Sequence, residues 1–502
     1  MESFTHIYDA FFIVFTIPVM ISMIIGTAVG IAIGALPGLS ATMGIAVLIP
    51  LTFTMEPLVA LGMIAGIYNG AMYGGSIPAI LLRIPGTPAG IATVFDGYPM
   101  AQQGKAKLAL RISLTSSSIG SAVSALALLL LAPPLAKVAL QFSPANYFWL
   151  SAFGLTSIAV LLSKNPIKGL IAACLGLLIG MVGIDTMTGA ERFSFDSLDL
   201  LSGINIIVLL TGLYAIPPAI ELAFSSMKNI KPIAQQNEKD DDFRWSKLIP
   251  VWFKSSIIGV IAGIIPAVGG NIAALLAWNE QRRSDPDKDK YGKGAPEGVA
   301  AAECANNADT AATLIPALTL GIPGSAVAAV ILGALLVHGL LPGPQLFREN
   351  AEITYGFMIT MLVTSGLMYI LGRFGSRAFI HILKLPASLL APMIISLSVL
   401  GIYALHNSFF EVWLMLCFGV LGLVMERLEI PTAPTVLAVI LGPMAEESLR
   451  RSILMSDGQY DVLFEGGISW ILIGLIAMTS LTPVIKKMLV RFRGSRDGAT
   501  IK

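Results

Sequence analysis

Charged residues are scarce in this sequence. Of its 502 residues only 13% are charged, against roughly 25% in an average soluble domain, while 55% are hydrophobic. Apolar runs of about 20 residues recur along the chain, each long enough to cross the hydrocarbon core of a bilayer. Lipid cannot satisfy the open edges of a sheet, so these spans are predicted to be helices. The low charge indicates an all-α polytopic membrane protein with roughly 12–15 membrane segments. The net charge of +1 argues against nucleic acid as a partner.

Cysteine, histidine and the motifs of common enzymes are also rare or missing. The three cysteines (Cys174, Cys304 and Cys417) are too far apart for a metal-ligand spacing. The sequence has no Walker A, HExxH or GxSxG motif, and none of its four histidines has the setting of a Ser/His dyad. We therefore expect a protein that is not an enzyme, with no cofactor and no metal beyond a transported ion.

The few charges that are present predict the topology, because basic loops mark the cytoplasmic side. The basic segments are 104–111, 164–168, 228–247, 281–294 and the C-terminal tail, and the loops poor in Lys and Arg are 52–57, 185–199 and 348–356. One consistent path places the N-terminus in the periplasm and the C-terminus in the cytoplasm. Residues 225–247 are interpreted as a cytoplasmic linker between a first repeat half, 1–224, and a second, 248–502.

The two halves resemble each other in sequence. "GALPGLSAT" at Gly34 aligns with "GIIPAVGGN" at Gly263, an offset of 229 (263 − 34). "YNGAMYGGSIPAILLRIPGT" at Tyr68 aligns with "NNADTAATLIPALTLGIPGS" at Asn306, an offset of 238 (306 − 68). The loops that follow the two copies have opposite charge character, so they should lie on opposite sides of the membrane. This pattern is typical of the inverted-topology repeat of secondary transporters.

Two helix breakers, "IPGTPAG" and "GIPGSA", lie at equivalent places in the repeat. An open backbone is tolerated in a membrane only where protein or a watery cavity surrounds it. We therefore predict two re-entrant helical hairpins, whose tips expose N–H groups and helix N-termini to an anion. The predicted substrate-binding residues are Arg83, Pro85, Gly86, Thr87, Gly321, Pro323, Gly324 and Ser325. A proline that only kinks a helix is the alternative, and Arg83 could equally snorkel to the interface.

The hairpin tips also give a mutational expectation. Gly86→Val and Gly324→Val should each abolish transport without preventing membrane insertion, because a β-branched residue resists positive φ.

Acidic and amide residues near the second tip suit a hard monovalent cation. Asp309 precedes an apolar span and would be costly if it faced lipid. Asn69 and Asn307 are paired by the repeat and are predicted, with Asp309, to bind a coupling cation, Na⁺ or H⁺. The alternative for Asp309 is a helix cap at the membrane surface.

Three segments resemble the large membrane subunit of tripartite tricarboxylate transporters. They are "GALPGLSATMGIAVLIPLTF", "YNGAMYGGSIPAILLRIPGTPAGIATVFDGYPMAQQGKA" and "GIPGSAVAAVILGALLVHGLLPGPQLF". The resemblance places the family's Gly/Pro motif on Gly34, Pro37, Gly38, Ser40 and Thr42. It adds Gly38, Ser40 and Thr42, with Asn271 as the repeat counterpart of Thr42, to the predicted cation-binding residues. The second copy has Ala267 where Gly38 stands in the first.

This resemblance implies a bacterial inner-membrane uptake system. Its partners would be a periplasmic solute-binding protein and a small membrane subunit of about four spans. Its substrates would be small carboxylates of the di- and tricarboxylate class, driven by a Na⁺ or H⁺ gradient, with an elevator-like motion. The alternative is an ion channel or a passive membrane scaffold without coupled transport. A channel should show one continuous polar stripe, whereas here the polar residues cluster around two breaks.

Overall fold

Helices make up almost all regular structure of this chain. The computed structural model describes residues 2–36, 38–85, 87, 89–161, 165–185, 187–224, 243–265, 269–382 and 387–481. The strands in these ranges form one antiparallel hairpin, β1 (Gly183–Ile184) and β2 (Glu191–Arg192), in which Gly183 lies opposite Arg192.

The helices follow one another with short connections. In chain order they are α1 (Glu2–Val14), α2 (Ile17–Ala35), α3 (Ala41–Thr52), α4 (Pro57–Gly74), α5 (Ser76–Leu82), α6 (Gly90–Gln102), α7 (Ala106–Ala139), α8 (Pro144–Leu161), α9 (Pro166–Gly180), α10 (Leu198–Leu201), α11 (Ile206–Phe224), α12 (Ile249–Ile264), α13 (Gly269–Ser284), α14 (Pro296–Ala308), α15 (Leu314–Leu320), α16 (Ala326–Val337), α17 (Leu346–Glu349), α18 (Ala351–Ile382), α19 (Ala387–His406), α20 (Phe409–Arg427), α21 (Ala433–Met455) and α22 (Gly467–Leu481). Three short 3-10 helices cover Trp245–Leu248, Lys288–Lys290 and Tyr460–Phe464.

Eight helical segments in the described ranges are long and apolar enough to cross a membrane. They are Ile17–Ala35, Pro57–Leu82, Ala106–Ala139, Ile206–Phe224, Trp245–Ile264, Ala351–Gly375, Leu389–His406 and Phe409–Arg427. Four shorter apolar helices accompany them: Ala41–Thr52, Pro166–Gly180, Ala326–Val337 and Gly467–Leu481. The prediction of an all-α polytopic membrane protein is confirmed.

Two compact units divide the chain, and each is discontinuous in sequence. Unit 1 consists of Met1–Ala139 and Ile206–Gly422, and unit 2 of Leu140–Asn205 and Leu423–Lys502. Each unit therefore takes segments from both predicted repeat halves. The division into 1–224 and 248–502 concerns the repeat and stays a prediction, and linker residues 225–242 lie outside the described ranges.

In unit 1, α2 and α4 approach each other backbone to backbone. Each carries glycines spaced by four residues, Gly26, Gly30 and Gly34 on α2 and Gly66, Gly70 and Gly74 on α4. A Cβ added at Gly30 would lie 2.5 Å from the carbonyl oxygen of Ile67, and one added at Gly70 would lie 2.5 Å from that of Thr27. Real side chains cannot approach a main chain so closely, so only glycine permits this pairing.

Unit 1 also contains the same order of helices twice. In the first copy α2, a break and α3 are followed by α4, α5, a break and α6, and then by the long α7. In the second copy α12, a break and α13 are followed by α14, α15, a break and α16, and then, after the short α17, by the long α18. The copies interleave, because α14 packs on α7 while α4 packs on α18. This reciprocal packing is what two related halves sharing one core would show.

Unit 2 holds a cluster of ion pairs at its hairpin. Asp185 bonds to Arg450 at 2.7 Å and to Arg192 at 2.9 Å, and Arg192 also pairs with Glu446 at 2.9 Å. Hydrogen bonds from Thr188 and Arg450 hold the pKa of Asp185 well below its usual range. A cavity of about 260 Å³ lies beside this cluster. In this cluster the guanidinium groups of Arg192 and Arg450 each contact a carboxylate.

Candidate functional site

The first broken segment starts where α5 ends in a left-handed residue. Arg83 has φ 60° and ψ 25°, and the N–H of Ile84 donates back to the carbonyl of Pro78 at 3.3 Å. The Arg83 side chain is exposed, and its guanidinium lies 5.8 Å from the centre of the Tyr98 ring. A non-glycine residue in this region is uncommon, and the conformation is usually left to glycine.

The rest of the first tip leads into α6. Pro85 is exposed, while Thr87 is half-buried and its carbonyl accepts the N–H of Gly90 at 2.9 Å. Gly86 lies outside the described residues.

The second broken segment also starts with a left-handed residue, here a glycine at the end of α15. Gly321 has φ 72° and ψ 10°, and the N–H of Ile322 donates to the carbonyl of Pro316 at 3.3 Å. Ser325 then caps α16, because its hydroxyl accepts the N–H of Ala328 at 3.2 Å. Arg83 and Gly321 are counterparts in the predicted repeat (321 − 83 = 238), and α5 and α15 both end in a left-handed residue.

The second tip is buried, and the reason for its glycine differs from the prediction. Gly321, Pro323 and Gly324 are all buried. Gly324 does not have a positive φ, so the backbone argument for Gly324→Val is wrong. A Cβ there would instead lie 2.8 Å from the carbonyl oxygen of Gly263, which makes the restriction one of space. The same argument for Gly86 falls on a residue outside the described ranges.

A buried polar cluster lies next to this tip, in the turn between α14 and α15. Asp309 is 2% exposed and Asn306 is 3% exposed, so Asp309 is not a cap at the surface. The Oδ1 atoms of both side chains lack a hydrogen-bond partner among the described residues. A Cβ added at Gly270 would lie 2.8 Å from Asn306 Oδ1 and 3.1 Å from Asp309 Oδ2. Asn306 Oδ1 and Asp309 Oδ2 therefore face the start of α13, while Asp309 Oδ1 lies near α12, 3.0 Å from where a Cβ at Gly263 would be.

Hydroxyl groups line the region between this cluster and the second tip. The hydroxyl of Tyr68, on α4, lies 3.5 Å from that of Thr313 in the turn after α14. The Ser325 hydroxyl at the start of α16 also approaches Tyr68. Tyr68 is 1% exposed, so these oxygens lie in the interior of unit 1. The cluster thus offers carboxylate, amide and hydroxyl oxygens to a hard cation.

The two asparagines that the predicted repeat pairs, Asn69 and Asn307, each contact a helix from the other predicted half. Asn69 donates to the carbonyl of Met361 at 3.0 Å and to the hydroxyl of Thr364 at 2.8 Å, both on α18. The Nδ2 of Asn307 donates to the Glu303 carbonyl at 3.0 Å, and its Oδ1 lies 3.5 Å from the Ser121 hydroxyl on α7. Asn69 through its amide nitrogen, and Asn307 through its amide oxygen, therefore connect the interleaved helices.

The cation-binding residues predicted from the Gly/Pro motif do not belong to the buried polar cluster at Asp309. Gly38 is exposed with φ 87°, and the hydroxyl of Ser40 caps α3 by accepting the N–H of Met43 at 3.2 Å. Thr42 is half-buried in the first turn of α3, and Asn271 is exposed in the first turn of α13. The buried cluster thus contains Asp309, but neither Gly38 nor Asn271 shares its burial.

Asp96, on α6, is a buried residue that the sequence did not indicate. It is 0% exposed, and its Oδ1 accepts the N–H groups of Gly292, Gly294 and Ala295 at 2.8, 3.1 and 2.9 Å. Its Oδ2 accepts the indole N–H of Trp278 at 2.7 Å. The Asp96 carboxylate therefore accepts the main-chain N–H groups just before α14, although Asp96 belongs to the other predicted half. No signal in the local sequence links it to a loop about 200 residues away.

Known proteins place the chain in context. The pattern of the tripartite tricarboxylate transporter TctA family matches residues 20–437. An uncharacterized 52.8 kDa protein in the TAR-I ttuC' 3' region of Agrobacterium vitis is 34% identical over 476 residues, which is 94% of each chain. An uncharacterized protein in the TAR-II ttuC' 3' region of the same organism is 33% identical over 239 residues, 48% of this chain and 97% of that one. No solved structure matches.

Proposed function

The chain belongs to the tripartite tricarboxylate transporter TctA family, and from this premise we propose that it takes up small organic carboxylates by secondary transport. It would be the permease subunit of a binding-protein-dependent system, driven by a cation gradient, with Na⁺ as a coupling ion. The family is one of transporters and not an enzyme class.

One observation carries the coupling part of this proposal. The Asp309 and Asn306 side chains each keep a buried oxygen without a hydrogen-bond partner among the described residues. Such a group typically costs about 1–3 kcal/mol when it is left unsatisfied. A Na⁺ ion bound between them would satisfy both oxygens and balance the carboxylate charge. Broken helices beside such a cluster are where secondary transporters bind their coupling ions.

The substrate would bind at the helix starts. The first turns of α6 and α16 follow the two broken segments, and the N–H groups of a helix start favour an anion. Thr87 and Ser325 add hydroxyl groups at equivalent places. Arg83 supplies a positive charge at the first tip only, since its counterpart is Gly321. A carboxylate with more than one anionic group could use both the charge and the helix starts.

The proposed motion and topology rest on the repeat. The reciprocal packing of α14 on α7 and of α4 on α18 supports an inverted repeat with two re-entrant hairpins. An elevator-like movement of the part that holds the tips would then expose the site to each side in turn. The charge of the loops supports a periplasmic N-terminus and a cytoplasmic C-terminus in a bacterial inner membrane.

The proposed partners follow from membership of a tripartite family. A small membrane subunit and a periplasmic solute-binding protein would complete the system. The binding protein would deliver the carboxylate to the exterior side of the permease.

Reconstitution tests this function. The chain, its small subunit and its binding protein are placed in liposomes, and the uptake of labelled citrate and other carboxylates is followed with and without an inward Na⁺ gradient. We expect accumulation that needs both the gradient and the binding protein. Flux that ignores the gradient, or unitary currents in a planar bilayer, would instead show a channel. Absence of uptake under every gradient would leave only a scaffold.

A further inference from the structure

A third buried acid lies in unit 1, on α14 and six residues before Asp309. Glu303 is 1% exposed. Its Oε1 accepts a hydrogen bond from the Thr93 hydroxyl on α6, and its Oε2 accepts one from the Ser117 hydroxyl on α7 at 2.9 Å. The Ser113 hydroxyl also approaches the carboxyl. Neither the sequence motifs nor the proposed carboxylate and Na⁺ sites use this residue.

No cation of the described residues pairs with Glu303, although α7 carries Lys107 and Arg111 and α12 carries Lys254, whose amino group donates to Ser284. From α4 the phenol of Tyr73 faces it, and from α6 Asp96 lies one turn beyond Thr93 with both oxygens already bonded. From α12, Trp252 and Ser256 contact the neighbouring Cys304 instead. On α13, Trp278 bonds to Asp96, Gln281 to Tyr291, and Glu280 pairs with Arg283. Among the described residues, the carboxyl of Glu303 is therefore bonded by hydroxyl groups alone.

These partners suit a carboxyl that changes its charge state. An ionised carboxylate buried without a cation is costly. A hydroxyl group can donate or accept, and it rotates at little cost. The hydroxyls of Thr93 and Ser117 can donate to a carboxylate, and one of them can accept from the neutral acid. A proton can thus be gained or lost without leaving any of these groups unbonded.

A line of serines on α7 extends the polar contacts away from Glu303. Ser113 donates to Ser76 on α5 at 2.6 Å, on one side of the carboxyl. On the other side Ser121 meets Asn307, and Ser124 accepts the N–H of Ala312 at 2.8 Å. The α7–α14 contact, close because Gly120 faces the Cys304 carbonyl, is therefore polar along its length. Hydroxyl groups of this kind can relay a proton.

We propose that Glu303 binds a second coupling ion, a proton, at a site separate from the Asp309 cluster. A hydronium ion transfers its proton to one carboxylate oxygen and leaves as water, so the carboxyl becomes neutral. On the other side of the membrane the new O–H bond breaks, and a water molecule accepts the proton as hydronium. Thr93 and Ser117 are positioning residues for this step. The coupling of uptake to the proton rests on the proposed transport function, whereas the binding of the proton to Glu303 does not.

Infrared difference spectroscopy on the purified full chain tests the proton site without transport. On titration through neutral pH, the carbonyl band of a buried carboxylic acid should be present in the wild type and lost in Glu303→Gln. Glu297→Gln is the matched control, because Glu297 is on the same helix but pairs with Lys290 at 3.3 Å. Its spectrum should keep the band. A Glu303→Gln spectrum that keeps every titrating carbonyl band of the wild type, the one expected from Asp309 included, or a wild type with no titrating carbonyl band, overturns the proposal.

Two further measurements guard against a folding defect and against failure of the transport function. Thr93→Val should shift the pH midpoint of the carbonyl band. Thr93→Ser keeps the hydroxyl and should have the wild-type midpoint; equal midpoints in all three proteins count against the site.

In proteoliposomes at equal Na⁺, a pH gradient should stimulate wild-type uptake, and Glu303→Gln should lose that stimulation but keep the response to Na⁺. An unchanged pH response in Glu303→Gln overturns the coupling. A titrating band with no uptake of any kind supports the proton site and refutes the proposed transport function.

Discussion

Replacing Arg83 by glycine separates a backbone cost from a role in binding. Arg83 adopts φ 60°, which costs an L-residue about 1–2 kcal/mol relative to glycine. Glycine destabilises the folded protein by roughly 0.5–1 kcal/mol, because it loses more conformational freedom on folding. Loss of the contact with Tyr98 costs about 0.5–1 kcal/mol more. These effects nearly cancel, so the free energy of unfolding should change by less than about 1 kcal/mol.

The effect of the same change on transport should be large. A hydrogen bond to a charged group contributes about 1.5–3 kcal/mol, which corresponds to roughly 10- to 150-fold in affinity. Arg83→Gly should therefore raise the KM for the carboxylate by that factor, and Arg83→Lys should raise it less. Arg282→Gln is the matched control, because its guanidinium also lies over a ring, 5.7 Å from the centre of Trp278.

Uptake kinetics in proteoliposomes and thermal unfolding in detergent measure the two effects. A KM for Arg83→Gly equal to that of the wild type would refute a role in substrate binding and would favour a side chain that only reaches the interface. If the Arg83→Gly variant no longer folds, Arg83 and Gly321 do not have equivalent backbone roles at the ends of α5 and α15.

Three further predictions concern packing and pH. Asp96→Ala should lower the free energy of unfolding by at least about 3 kcal/mol, because four donors lose their acceptor; an unchanged melting temperature would contradict this. Gly30→Ala should cost about 1–3 kcal/mol, whereas Gly366→Ala, with nothing near its Cβ, should be neutral or slightly stabilising; equal melting temperatures would refute the close pairing. Burial opposes ionisation of Asp285, but the hydrogen bonds from Lys290, Tyr291 and the Asp287 N–H together outweigh it and lower the pKa of Asp285. Its contribution to stability is therefore complete above the ordinary pKa of an aspartate and is lost on acidification through the lowered pKa. The hydrogen-exchange protection of the surrounding loop, taken relative to the intrinsic exchange rate at each pH, should fall at acid pH, and Asp285→Asn should remove that dependence.

Some features of the site could be predicted from the sequence because their causes are local. A Pro-Gly pair in an apolar run breaks a helix wherever it occurs, so Gly321 and Pro323 indicated the second tip. Asp309 is too costly to face lipid, and its burial followed from that alone.

Other features depend on residues that are distant in sequence. The donors to Asp96 come from the chain before α14, and the hydroxyl partners of Glu303 come from α6 and α7. Gly324 shows the same limit, because its restriction arises from the carbonyl of Gly263 and not from its own φ. Arg83 could not be predicted as left-handed, since its residue type does not favour that conformation.

The proposed Na⁺ site at Asp309 is tested most directly by measuring labelled Na⁺ and labelled carboxylate uptake in the same proteoliposomes. Asp309→Asn keeps the size of the side chain and removes its charge, and Glu297→Gln serves as the control for a lost carboxylate on α14. In the wild type and the control, Na⁺ should enter together with the carboxylate and accelerate its uptake. In Asp309→Asn both the Na⁺ influx and the acceleration should be lost. Uptake by Asp309→Asn with the wild-type dependence on Na⁺ would contradict the site.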